Sequence, residues 1–221
     1  MYFKTTMLSA AMAVSFAVPA GAAVITTLYN TGVDNAHVSV TGVGNADQHW
    51  SLGIESAAYV SGQNGVFPIG PWLAEDATSR WVTPSPTAAD SFDPTVAGIY
   101  TYTLHFSLDG YKPGTAALSG RFAADNEVTG ITLNGQTITG SGGSFTSWTA
   151  FNASGAAFQS GLNTLSFTVK NYASASGNPT GLRVELGGTA AVPEPQSWML
   201  LIAGFTMVGV ASRRRSKPVA A

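Results

Sequence analysis

Side chains whose types and spacing could support chemistry are sparse. The three histidines, His37, His49 and His105, form no His-x-His or His-Glu-x-x-His pattern, so a metal site would have to arise by convergence in three dimensions. Serines are abundant, but none sits in a Gly-x-Ser-x-Gly elbow. Glu55, Glu75, Asp76, Asp90, Asp93 and Asp125 offer carboxylate pairs of the kind glycosidases use, as any acidic β-protein does without being one. The stretches "TGVGNAD" and "GSGGS" lack the strand–loop–helix setting of a phosphate loop and read as turns. There are no cysteines, which excludes disulfides, Cys-ligated zinc, iron–sulfur clusters and thiol nucleophiles. No catalytic residue, metal or cofactor is assigned, and the expectation is a non-enzymatic protein.

Two groups suit binding. Trp50, Trp72, Trp81 and Trp148 are costly to expose, and sugars are commonly gripped on the faces of such rings. In "AADNEVTG", Asp125, Asn126 and Glu127 are hard oxygen donors for a sugar hydroxyl or Ca²⁺, without EF-hand spacing. Trp81, Asp125, Asn126 and Trp148 are therefore the candidate ligand-binding residues. Each has an ordinary alternative: aromatic packing for the tryptophans, a self-capped turn for the Asp–Asn pair.

The two ends of the chain are substrates for other enzymes' chemistry. "MYFKTTMLSAAMAVSFAVPAGAA" has one cation, an apolar run from Met7 to Val18, and the small residues Ala20 and Ala22 around Gly21. That order marks a signal peptide over residues 1–22, cut by signal peptidase after Ala22 or Ala23. At the other end, "VPEPQSWMLLIAGFTMVGVASRRRSK" places Pro193-Glu194-Pro195 before an apolar helix and three arginines. The apolar run from Trp198 to Ala211 covers about 21 Å as a helix, short of the roughly 30 Å hydrocarbon core. Trp198 suits one membrane interface, while Arg213, Arg214 and Arg215 suit the cytoplasmic one, which leaves the body outside.

The Pro-Glu-Pro motif, Trp198, the Gly-containing apolar helix and the arginine cluster together closely resemble the PEP-CTERM sorting signal. The resemblance covers residues 190–217. It implies recognition by exosortase, a membrane-embedded transpeptidase-like enzyme that processes its substrate near the motif. It also implies a membrane-anchored precursor, delivery to the cell surface or matrix of a Gram-negative bacterium, and association with exopolysaccharide and biofilm. Segments such as "LYNTGVD", "SRWVTP", "YTYTLHF", "AADNEVTGITLNG" and "NPTGLRVEL" make the body similar to galactose-binding-like and carbohydrate-binding jelly rolls. That similarity implies an alternative role as a module holding extracellular polysaccharide.

The elements that must position these residues are strands. Of 221 residues only 10% are charged, against roughly 25% in typical soluble proteins. Gly, Ser, Thr and Asn take their place, a mixture suited to strands and turns. Between residues 23 and 189 the chain carries five basic residues against eleven acidic ones, which excludes nucleic acid as a partner. Alternation puts Tyr100, Tyr102, Leu104, Phe106 and Leu108 on one face of a strand, and Leu165, Phe167 and Val169 on one face of another. In "GLRVELGG" it sets Leu182, Val184 and Leu186 against Arg183 and Glu185. Asn134-Gly135 joins two short strands by a type I′ turn. Further strands are expected at 36–40, 49–54, 57–61, 80–83, 115–123 and 145–151. The fold class is all-β: one antiparallel β-sandwich of jelly-roll type over 23–189, flanked by a signal peptide and a C-terminal hydrophobic helix.

Overall fold

The computed structural model describes residues 21–53, 56–193 and 197–215. Its strands are β1 (Ala22–Val24), β2 (Asn45–Leu52), β3 (Ser56–Val60), β4 (Val82–Thr83), β5 (Gly98–Ser107) and β6 (Lys112–Asp125). They continue with β7 (Glu127–Leu133), β8 (Gln136–Thr137), β9 (Thr149–Ser154), β10 (Leu162–Asn171) and β11 (Gly181–Ala191), and a helix, α1, spans Ser197–Arg215. Every strand pair is antiparallel, in the order β8-β7-β10-β5-β2-β3-β4-β11-β6-β9, with β1 added beside β11.

This continuous ribbon turns back on itself through β3 and β4. The face carrying β10, β5 and β2 then meets the face carrying β11, β6 and β9. Across the gap Phe167 of β10 stands 5.7 Å from Phe122 of β6 and 5.1 Å from Phe151 of β9, both edge-on, with Trp50 of β2 at 5.8 Å. Edge-to-face aromatic contact of this kind adds to the burial of large apolar rings. Tyr102, Leu104, Phe106, Leu108, Leu165, Phe167, Val169, Leu182 and Val184 all lie in this core, as alternation predicts. The molecule is a jelly-roll-like antiparallel β-sandwich.

The hairpin of β7 and β8 turns at Asn134 (φ 53°) and Gly135 (φ 80°), both left-handed as a type I′ turn demands. The Asn134 side chain adds a clamp. Its amide nitrogen donates to the Ala157 carbonyl and to Asn163 Oδ1, each at 2.8 Å, while its oxygen accepts from the Thr164 N–H at 2.9 Å.

Two expected strands are displaced. Residues 36–40 form a turn, because the Asp34 carboxylate accepts the N–H groups of Ala36 and Val38 and His37 takes φ 60°. Such side-chain bonds offer the backbone an alternative to a ladder. In 145–151 a Ser144–Ser147 bridge precedes the strand, so β9 begins only at Thr149. The sheet also takes in Ala22 at one end and Ala190 and Ala191 at the other, beyond the 23–189 body read from the sequence.

The long proline-containing segment between β3 and β5 contributes only the two residues of β4 to the sheet. It folds over the outer face of β6 and β11 and builds a second, smaller core of Ile69, Trp72, Trp81 and Ala123, with Leu73, Phe145 and Trp148 packed against it. Gly181 lies under this cover, where a Cβ would meet the Trp72 ring at 3.0 Å.

Candidate functional site

The covering segment explains where the candidate binding residues go. Trp81 is fully buried, and its indole N–H donates to the Leu73 carbonyl at 2.9 Å. This corrects its assignment as a sugar-stacking ring, since both faces are closed by protein. Trp72, packed 4.4 Å from Trp81, donates its indole N–H to Asp125 Oδ2 at 2.7 Å. The Asp125 side chain is buried at the β6–β7 corner, and burial raises its pKa to about 6, the Trp72 bond opposing the rise. Asn126 donates to Asp125 Oδ1 at 2.8 Å and accepts from the Tyr172 N–H at 2.6 Å. The pair thus ties β6 to the end of β10, the self-satisfied arrangement that Asp and Asn favour in turns.

Trp148 is half-buried in the same minor core, and its ring carries two guanidiniums, Arg121 at 4.5 Å and Arg183 at 4.9 Å. Trp81 and Trp148 thus belong to the same minor core, to which Asp125 is tied by its bond from Trp72 and Asn126 by its bond to Asp125.

Sequence alternation set Arg183 opposite Leu182 and Val184 and gave it no role. Only 1% of Arg183 is exposed. Its Nε donates to Ser79 Oγ at 2.7 Å, Nη1 donates to the Ala74 carbonyl, and Nη2 pairs with Asp76 at 3.0 Å and Glu185 at 3.6 Å. Glu185 also holds Arg121, at 2.6 Å. Arg80 is a second such anchor. It donates to Glu75 Oε2 at 2.8 Å, to the Val40 and Gly42 carbonyls at 2.9 and 2.6 Å, and to the Gly62 carbonyl at 2.8 Å. Burial raises the Glu75 pKa, with Arg80 acting against it. The signal for both arginines was the charge-poor composition, in which a cation inside an apolar segment has a reason to be there.

Beside Arg80 opens a cleft of ≈ 510 Å³, bounded by Val38–Gly42 on one side and by Asn64 and Glu75–Ala77 on the other. Its size falls within the range of small-molecule sites. Most of its polar wall is already engaged. Asn64 both donates to and accepts from the Glu75 backbone, at 2.9 and 2.7 Å, and Asp76 accepts from the Thr78 N–H at 2.7 Å.

Two histidines do converge, on an aromatic ring. Tyr29 stacks on His37 at 4.4 Å and on His49 at 3.5 Å, the planes within 13° and 4°. Burial lowers the His49 pKa, and its buried Nε2 has no hydrogen-bond partner. His105 is separate, 3.1 Å from Thr164 Oγ1. Among the described residues no three His, Asp or Glu side chains form a grouping able to hold a metal.

At the C-terminus, β11 is paired through Ala191, and Val192 and Pro193 follow, both exposed. Glu194 and Pro195 lie outside the described residues, as does Ala20 at the other end. Helix α1 then spans Ser197–Arg215, taking in Trp198 and the three arginines of the motif. Its apolar residues, including Met199, Ile202, Phe205 and Val208, are exposed. No helix among the described residues is long and apolar enough to cross a membrane.

No curated protein matches the chain. Among solved structures, the CBM36-1 domain of a multidomain xylanase from the hindgut metagenome of Trinervitermes trinervoides is similar at 13% identity and TM-score 0.25, covering 46% of this chain and 77% of its own. The family 11 carbohydrate-binding module of cellulosomal cellulase Lic26A-Cel5E of Clostridium thermocellum is similar at 12% identity and TM-score 0.35, covering 66% of this chain and 90% of its own. The family model described as the PEP-CTERM protein-sorting motif matches residues 191–215, so the end of β11, the Pro-Glu-Pro segment and α1 together are that motif.

Proposed function

We propose that this chain is an exported, exosortase-processed protein that presents one non-catalytic β-sandwich at the surface or in the extracellular matrix of a Gram-negative bacterium, in association with exopolysaccharide. One observation carries the reading: the PEP-CTERM motif follows directly from the last strand of a folded domain and leads into an apolar helix ending in arginines. The domain boundaries of the reading are a signal peptide over 1–22, removed by signal peptidase, a body over 23–189 and a sorting tail over 190–217. The tail anchors the precursor in the membrane until it is processed. A non-catalytic body is supported by the use of its buried charges, since Arg80, Arg183, Glu75 and Asp125 are engaged in holding loops to the sheet.

The test replaces Pro193, Glu194 and Pro195 with alanine in an exosortase-bearing host. Processing and surface delivery should stop while the precursor stays in the membrane fraction with α1 intact. A plain membrane anchor depends on apolar length and the positive-inside bias, and would be indifferent to the change. If the surface-delivered wild type keeps Arg213–Arg215 by mass, the sorting reading fails.

A second reading, polysaccharide binding, is favoured by the cleft beside Arg80 rather than by the tryptophans. Ser39 and Thr41 line it and could meet sugar hydroxyls. Calorimetric titration with the host's own polysaccharide, repeated on Thr41→Trp, which fills the cleft, separates holding a glycan from display alone. Heat that disappears in Thr41→Trp supports holding; no heat in either protein supports display.

A further inference from the structure

The two ends of the folded body meet. Ala22 pairs with Ala191, Ala23 with Ala190 and Val24 with Thr189, antiparallel. The chain entering β1 and the chain leaving β11 therefore pass the same edge of the sandwich side by side. Other strand ends converge there. Ala191 pairs on its other side with Lys112, the first residue of β6, and Tyr111 Oη donates to the Val24 carbonyl at 2.7 Å. Leu162, the first residue of β10, pairs with Ser107, the last of β5, whose carbonyl accepts from Thr27 Oγ1 at 3.0 Å. The opposite end of the sandwich is marked by Gly181 paired with Asp125 and by Gly98 paired with Asn171. Ten residue steps of β11 separate the two ends, about 33 Å at strand rise.

Ala191 is six steps from Ser197, so α1 begins no more than about 22 Å from this end even if the connection is fully extended. Exposed apolar side chains occur at both ends: Val24 (64% exposed), Leu162 (61%) and Val192 (41%) at this one, Val96 (74%) and Ile99 (59%) at the other. The short tether to α1 tells them apart. We propose that the end formed by β1, the close of β11 and the starts of β6 and β10 is a membrane-contact face, with a phospholipid bilayer as its partner. Val24, Leu162 and Val192 supply apolar contact at the interface, and the exposed Lys112 meets anionic headgroups. The inference rests on the proposed sorting reading, in which α1 sits in the membrane. It adds that the leader cut at Ala22 and the processing motif after Ala191 lie on one face of the folded domain, both turned toward the bilayer.

The chain lacks cysteine, so single probes can be placed cleanly. Val24→Cys, Leu162→Cys and Val96→Cys, each in the chain from Ala23 to Ala221 with the leader removed and the tail intact, are labelled with a fluorophore and reconstituted with vesicles of phosphatidylethanolamine and phosphatidylglycerol containing brominated acyl chains. Flotation reports whether the chain is bound; bromine quenching reports which end touches lipid. The expected result is flotation of all three, with loss of emission at 24 and 162 and none at 96. Flotation with equal emission at all three positions overturns the contact face while leaving the anchored tail intact. Failure to float overturns the anchoring reading and the inference with it.

Discussion

The Arg183 guanidinium lies 4.9 Å from the centre of the Trp148 ring, on the outer side of the sheet, at a position that alternation sets opposite the core-facing Leu182 and Val184. A buried cation is tolerated only with partners, and here they come from the covering segment: Ser79, Asp76 and the Ala74 carbonyl, with Glu185 beside it on β11. Arg183 is thus the pin between the sheet and a segment that has almost no strand of its own.

Removing that pin should cost far more than removing its exposed neighbour. Arg183→Ala leaves Glu185 and Ser79 without their buried partner, and breaking such a pair costs about 3–5 kcal/mol. Arg121 shares the same ring and the same Glu185 but its side chain is 49% exposed, so Arg121→Ala should cost no more than about 1 kcal/mol. Urea unfolding midpoints decide; equal losses would show that Arg183 does not pin the segment.

Two glycines separate backbone strain from steric exclusion. At Gly135, φ is 80° and a Cβ would meet no atom within 4 Å, so Gly135→Ala should cost about 1 kcal/mol through backbone conformation alone. At Gly120, a Cβ would collide with the Glu185 carbonyl oxygen and approach the Phe151 ring to 2.7 Å. That carbonyl belongs to the ladder between β6 and β11 and cannot step aside, so Gly120→Ala should cost about 3 kcal/mol or more. Thermal midpoints that fall equally would refute the distinction.

The inner faces of β5, β10 and β11 were legible because burial on one side imposes a period of two, and the Asn134-Gly135 turn because few residue pairs accept two left-handed positions. The sorting tail was legible as a linear motif that needs no fold to be read. The covering segment was not, since its proline-rich stretch packs through a few large side chains and carbonyl bonds without any period. Its presence gives Trp81 the packing role of its two readings, and gives a buried role to Arg183, which alternation had only set opposite the core-facing residues of its strand. The pairing of Ala22 with Ala191 was equally invisible, because three small residues at a chain end carry no pattern.

The stack of His49 on Tyr29 gives a pH dependence of known sign. Burial lowers the folded pKa of His49 below its usual value, so folding favours the neutral ring. That contribution is complete above the ordinary histidine range and is lost as pH falls through the lowered folded value. His49→Phe keeps the stacked ring and removes the titration, the unpartnered Nε2 and the ring's bond to the Asp34 backbone. Relative to the wild type, its thermal midpoint should rise as pH falls from 8 to 5. A difference from the wild type that is the same at both values would mean the imidazole, not its neutrality, matters.

Asp125 should act in the opposite direction over a neighbouring window. Its folded pKa, raised to about 6 from 3.8 chiefly by burial, means the folded state holds a proton that the unfolded chain releases. Stability from this group is present below pH 4, declines as pH rises through 4 to 6, and is gone above 6. At 1.36 kcal/mol per pKa unit the full swing is about 3 kcal/mol. Asp47 and Glu75, also raised by burial, slope the same way, so the wild-type profile alone cannot isolate one carboxylate. Asp125→Asn can, because its side-chain oxygen still accepts the Trp72 indole N–H and carries no charge at any pH. Urea midpoints of the two proteins at pH 4, 5, 6 and 7 should converge at the acid end and separate toward neutrality, with Asp125→Asn the more stable at pH 7. If the wild type is the more stable at pH 7, the ionised carboxylate is a net stabiliser there, and burial does not dominate its balance with the indole bond.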